Sequence, residues 1–259
     1  MIIQIYEIQT PAEAEIMIGL GVDHVGSVII SETEWKISEV KETLNVVRST
    51  SAKSSLIPLF NTLDSVLRTL DYYQPDIIHF CEALTDHQDV GAYCQRLTEL
   101  QQDIKKRFPQ IKIMRSIPIV QSGKDNSVPT LEFCKKFEPY SDFFLTDTML
   151  INQSGVADDS QPVQGFVGIT GQPCNWDTAA SLVTSSRIPV ILAGGVSPAN
   201  VSDGIMRVRP AGVDSCTLTN ALDENGRPIR FKKDPQKVKQ LIDAVREAEK
   251  EIESSAVLD

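Results

Sequence analysis

The chain has 259 residues, long for one ordinary domain and usual for one α/β barrel, and 41% of it is hydrophobic, enough for a sizeable core. Its formal net charge of −10 argues against nucleic acid or an anionic membrane as the main partner, although an anionic small molecule can still bind where the surface is locally positive. The five cysteines (Cys81, Cys94, Cys134, Cys174, Cys216) show no paired spacing, so reduced core thiols in a cytoplasmic protein are expected rather than a disulfide framework or a metal site.

Met1-Ile2-Ile3-Gln4-Ile5-Tyr6 runs straight into a strand without a basic leader or a long apolar segment, so neither a signal peptide nor a membrane span is expected. After this first strand at about 2–6, apolar runs predict strands near 24–30, 55–60, 76–81, 111–117, 142–147, 189–194 and 212–217. Helical patterns fall around 11–20, 62–72, 88–107, 128–137, 176–185 and 198–207, with a last one at 234–252. Eight strands alternating with helices predict the α/β class and a closed (β/α)8 TIM barrel forming one domain over 1–259. Two segments lengthen it: a long polar fourth-helix region at 83–110, and a polar loop at 149–164 after the sixth strand. That loop reads equally as a lid and as a solvated excursion.

The late strands carry the clearest functional signal. Pro189 to Val201 reads as a buried strand, a Gly194-Gly195 turn, and a helix with Ser197 as N-cap and Pro198 at its first position. Glycines let backbone approach a ligand closely, and a helix start presents N–H groups that suit a phosphate. A second short strand follows at Gly212-Val213-Asp214-Ser215-Cys216-Thr217. Paired strand ends of this kind are where a (β/α)8 barrel holds a phosphate.

Several stretches resemble the phosphoribosylanthranilate isomerase family. Gly19 to Gly26 resembles its second-strand "GADxxG", Leu59-Phe60-Asn61 its "VFVN", and Asp76 to Glu82 a changed "DxVQLHG". Phe143 to Thr148 resembles "AFLLDT", Gly168-Ile169-Thr170-Gly171 with Asn175-Trp176 "GGTGxxFDW", and Leu192 to Val201 "LAGGLxPENV". Gly212-Val213-Asp214 with Lys233, Asp234 and Lys237 resembles the family's close. The resemblance implies a cytoplasmic barrel enzyme of tryptophan biosynthesis that binds a phosphorylated small-molecule substrate and works without cofactor or metal, as a monomer or homodimer. It implies an Amadori-type aldose–ketose isomerisation of a phosphoribosylamine, with Asp147 as general acid. Backbone near Gly171, Gly194, Gly195 and Thr217, with Thr170, would hold the phosphate.

The departures bear on the general base and on the substrate. Tyr6 stands at the position of the family's first-strand cysteine and Glu7 at its glycine, and alternation points Gln4 and Tyr6 the same way. Trp35 replaces the family's carboxylate-binding arginine, with Lys36 beside it as a point charge. His79 and Cys81 replace a glutamine and a histidine, and Cys216-Thr217-Leu218 replaces a "SSG" phosphate loop. Base candidates are therefore Glu7, His79 and Tyr6, with Glu82 a further strand-end acid, and a cysteine is not expected to serve. Tyrosine is a poor base at neutral pH unless its phenolate is stabilised. Arg115 on the fifth strand is read either as an anion contact or as half of a salt bridge; His24 and His87 are read as surface or packing positions. An altered substrate is expected on these grounds, the competing readings being a non-catalytic phosphosugar-binding barrel and a lyase on the same scaffold.

Overall fold

A computed structural model describes residues 1–85, 87–124, 128–151 and 163–256. Eight parallel strands close into a barrel in sequence order: β1 (Ile2–Ile5), β2 (His24–Ile29), β3 (Lys53–Pro58), β4 (Ile77–Phe80), β5 (Lys112–Val120), β6 (Phe143–Met149), β7 (Val190–Leu192) and β8 (Gly212–Ser215). Closure is made by β1 pairing with β8, where Gln4 lies opposite Asp214. The outer layer is α1 (Pro11–Leu20), α2 (Ser38–Arg48), α3 (Leu63–Tyr73), α4 (Val90–Arg107), α5 (Thr130–Phe137), α6 (Trp176–Ser185), α7 (Val201–Val208) and α8 (Pro235–Ala256). No helix among the described residues is long and apolar enough to cross a membrane.

Local chemistry explains most boundaries. The Thr10 hydroxyl accepts from Glu13 N–H at 3.2 Å with Pro11 in the first turn, and Gly21 ends α1 at φ 97°. Asp89 caps α4 and Asn175 caps α6 through their side-chain oxygens. The expected start of α7 is corrected: Ser197 N–H donates to Asn200 Oδ1 and Asn200 Nδ2 to the Gly195 carbonyl, so residues 197–200 form a side-chain-closed turn. The helix therefore begins at Val201. An amphipathic α2 fills the long gap between the second and third strands.

Beyond the barrel the chain adds a hairpin, β9 (Asn220–Leu222) with β10 (Pro228–Lys233). It packs against the mouth at the β8–β1 seam, where Phe231 joins the barrel-interior cluster. The proposed loop at 149–164 lies mostly outside the described residues. Just past its end at Gln164, Phe166 forms an isolated bridge with Glu82 at the end of β4.

Strand parity decides what each residue faces. Residues Tyr6, Val28, Ile57, Ile77, Cys81, Met114, Leu145, Ile191 and Ala193 form the barrel interior. Their neighbours one step along, such as Ile29, Leu56, Ile78 and Phe80, pack outward against the helices.

Candidate active site

One pocket opens at the C-terminal ends of the strands, lined among others by Tyr6, Glu7, His79, Asp147, Gly171 and Asp214. Its β2–β3 wall is apolar, formed by Val28, Ile57 and Leu59. The opposite wall carries Thr170, Gly194, Gly195 and Thr217, all expected from the sequence to meet a phosphate. Gly171, Gly194 and Gly195 adopt φ of 64°, 85° and 61°, a region that disfavours other residues. The last two are also tightly packed. A Cβ at Gly194 would lie 2.3 Å from Thr148 Oγ1, and one at Gly195 would lie 2.4 Å from Pro173 N.

Asp147 lies at the end of β6 with its carboxyl turned into the pocket. Thr148 N–H donates to Oδ1 at 3.1 Å and Ser116 Oγ to Oδ2 at 3.3 Å. Gly168 makes room for it, since a Cβ there would sit 2.6 Å from Oδ2. Burial pushes the Asp147 pKa up to about 7, against the pull of those two hydrogen bonds. Asp214 was part of a recognised motif without a role, yet it shares the pocket and the behaviour. Burial carries its pKa to about 7 and the Asp147 charge pushes the same way, opposed by the Gln4 amide and Lys233. Gln4 Nε2 donates to its Oδ1 at 3.2 Å, and His24 Nδ1 meets Gln4 Oε1 at 3.0 Å, which makes His24 a buried packing residue.

The base candidates behave differently from one another. Desolvation raises the Tyr6 phenol well above its usual value, which removes phenolate at neutral pH. His79 is driven down to about 3 by burial and by Arg115, and both ring nitrogens are occupied, by Tyr6 and Ser116. Glu7 lies at the pocket with φ 63°, but its Oε1 takes two N–H groups of Arg230, at 2.8 and 2.6 Å. An ion-paired carboxylate gives up that pairing when it takes a proton.

Three expected contacts are elsewhere. Lys36 sits 4.8 Å from the centre of the Tyr72 ring, and Trp35 stacks edge-on to the same ring, so neither forms a carboxylate clamp. Arg115 is fully buried outside the barrel wall, between the Phe80 and Phe137 rings, donating to Glu82 and to Gln101. Glu82 is thereby a structural partner and not a base candidate. The reason is parity: Phe80 pairs with Arg115 in register, and both point outward while His79 and Met114 point inward. Arg230 and Lys233 supply cations at the seam instead, Lys233 Nζ donating to the Cys216 carbonyl at 2.8 Å.

A (β/α)8 barrel whose mouth sets two buried carboxyl groups beside a glycine-rich strand end has the layout of a small-molecule enzyme. Residues 99–244 match the family described as N-(5'phosphoribosyl)anthranilate (PRA) isomerase, and the chain belongs to that family. It is 28% identical over 243 residues to the N-(5'-phosphoribosyl)anthranilate isomerase of Methanothrix thermoacetophila, covering 90% of this chain and 92% of the relative. The corresponding protein of Methanosarcina acetivorans is 26% identical over 250 residues, covering 94% and 92%. The crystal structure of phosphoribosyl anthranilate isomerase from Thermotoga maritima superposes with a TM-score of 0.64 at 18% identity, covering 95% of this chain and 99% of that one. That likeness carries the fold.

Proposed function

We propose that this chain isomerises N-(5'-phosphoribosyl)anthranilate, in an Amadori rearrangement that turns the aminoaldose into an aminoketose. Family membership and near full-length similarity to relatives bearing that name support this substrate over an altered one. Asp147, protonated, donates to the ring oxygen as the furanose opens. A second carboxylate removes the C2 proton from the resulting imine, and the enolamine then tautomerises to the ketone. Asp214 fits that second role better than Glu7. Two buried carboxyl groups in one pocket, each raised to a pKa of about 7 by burial, can supply an acid and a base near neutral pH. The phosphate rests at the backbone of Gly171, Gly194 and Gly195 with Thr217, and the aromatic ring against Val28, Ile57 and Leu59.

The placing of Asp147 and Asp214 in one pocket is the observation that carries this reading. Complementation of a tryptophan auxotroph lacking the isomerase tests it. Growth with the wild-type chain, lost with Asp147→Asn, is the expected result; no growth with a folded, expressed wild-type chain overturns the substrate assignment.

A further inference from the structure

Five side chains from five strands form one hydrogen-bonded line through the barrel. Ser55 Oγ meets the Tyr6 hydroxyl at 2.5 Å, and that hydroxyl meets His79 Nδ1 at 2.7 Å. His79 Nε2 meets Ser116 Oγ at 2.9 Å, and Ser116 reaches Asp147 Oδ2 at 3.3 Å. Ser55, Tyr6, His79 and Ser116 are all buried, so bulk water does not compete for these bonds.

Counting donors fixes the direction. Above its titration, where Asp147 is ionised and only accepts, Ser116 donates its single proton to it, and the directions that follow hold for that state. The Ser116 oxygen must then accept from His79, which puts the imidazole proton on Nε2. That leaves Nδ1 bare, to accept from the Tyr6 O–H, and Tyr6 in turn accepts from Ser55. Every proton in the line points toward Asp147.

We infer that Tyr6 and His79 are positioning residues, a fixed-tautomer relay that holds Ser116 as a donor to Asp147 and so orients its carboxylate and sets its affinity for a proton. The inference rests on the reading of Asp147 as the acid. The relay gives a purpose to two of the departures in this chain: the tyrosine where the family has a cysteine, and the histidine where it has a glutamine. It also explains why a histidine at the site is not itself the base, since both of its nitrogens are committed. Among the described residues, the ionisable groups that feel the Asp147 charge are Tyr6 just after β1, Cys81 just after β4, Asp214 on β8 and Cys174 ahead of α6. None of these is a cation. The proton affinity of Asp147 is therefore raised by burial and opposed by the Thr148 N–H and Ser116 donors, with no counter-charge beside it.

The test uses the ligand-free chain, so it reads the relay separately from turnover. Nitrogen NMR above pH 8 should find the His79 ring neutral with its proton on Nε2. Tyr6→Phe, which keeps the ring and deletes only the hydroxyl, should leave the proton on Nε2, where Ser116 still accepts it, and shift the bare Nδ1 resonance as its hydrogen bond is lost, whereas Ser116→Ala should give a mixture of tautomers. Ser116→Ala should raise the Asp147 titration midpoint, followed by carboxyl NMR, by about one pH unit, and Ser116→Thr should restore it. The alkaline limb of the isomerase rate should move with it. A proton found on Nδ1, an Nδ1 resonance indifferent to Tyr6→Phe, or a midpoint and a tautomer indifferent to Ser116→Ala, overturns the relay. Full activity in Asp147→Asn would instead overturn the acid assignment and leave the NMR result standing.

Discussion

The ring of Tyr6 occupies the space above the Cα of Gly26: a Cβ built on Gly26 would lie 2.1 Å from Tyr6 Cδ1 and 2.3 Å from Cε1. A large side chain fits inside the barrel because the neighbouring strand offers none. Gly26→Ala should therefore displace the Tyr6 ring and destabilise the fold by about 2 kcal/mol, in the range of core overpacking. Denaturant unfolding checks this. In a Tyr6→Cys background the same substitution should cost much less, because the obstructing ring is gone. Equal costs in the two backgrounds would show that the alanine does not strain the ring.

Protonation of the two buried aspartates couples stability to pH. Asp147 and Asp214 keep their protons to about pH 7 in the folded chain, whereas an unfolded aspartate ionises near pH 3.9. Between those values the folded state binds more protons, so this contribution is complete below about pH 4 and lost as pH rises through 7. Asp147→Asn cannot titrate there. Its stability relative to the wild type should rise by about 2–4 kcal/mol between pH 4 and pH 8, as urea midpoints at several pH values would reveal. A difference that stays flat with pH would mean that Asp147 is ionised in the fold.

Much of this architecture is legible in the sequence because both faces of each barrel strand are buried, which writes strands as apolar runs. All eight strands lie within a few residues of their expected places, and so do α1, α3, α4, α5, α6 and α8. The β9–β10 hairpin escapes detection because β10 (PIRFKK) begins with proline, carries three charges and buries only Lys233, so no apolar run marks it. Its turn does leave a signal, Asn225-Gly226, a dipeptide suited to positive φ. Site residues are harder because position alone does not fix facing. Lys36 and Arg115 carry the right charge, but Lys36 is drawn to the Tyr72 ring and Arg115 points one step out of phase with the pocket. Asp214 is visible only once the register places it opposite Gln4, inside the barrel.

The Arg115–Glu82 pair is a structural element that should tolerate replacement only as a unit. Both side chains are essentially unexposed, and Arg115 Nη2 and Glu82 Oε1 have no hydrogen-bond partner. Removing one charge leaves the other buried and uncompensated, so Arg115→Met or Glu82→Gln alone should cost about 3–5 kcal/mol. The double variant Arg115→Met/Glu82→Met should recover most of that loss. Substrate KM measured on the double variant distinguishes this from an anion-binding role for Arg115. An unchanged KM is expected, and a rise of tenfold or more in an intact barrel would return Arg115 to the site.

The two strand-end carboxylates near β1 separate by kinetics. Glu7→Gln removes a charge held by Arg230, whose own side chain is 38% exposed, so the stability cost should be modest and the rate should fall less than tenfold. Asp214→Asn should cost about 10²-fold or more in kcat while leaving the fold intact, since general base catalysis contributes on that scale. The opposite ranking would move the base to Glu7.

Thiol chemistry gives the sharpest check on the general base. Burial raises the pKa of every cysteine: Cys134 goes to about 11, Cys174 to about 12, and Cys81, Cys94 and Cys216 also rise. Attack on an alkylating reagent requires the thiolate, so none of the five should react readily near pH 7 in the folded chain. Cys81 and Cys216 line the pocket, and Cys216 is the one cysteine that is only half-buried. Even there burial raises the thiol first, Lys233 pulls it down, and Glu7 and Asp214 push it up again. Isomerase rate measured after iodoacetamide treatment at pH 7 should equal that of an untreated control, while the urea-unfolded chain labels at all five positions. Cys81→Ser and Cys216→Ser should each keep the rate within a few-fold of wild type. Rapid inactivation accompanied by labelling of a single cysteine, and prevented by a phosphorylated ligand, would identify a thiolate base and remove Asp214 from that role.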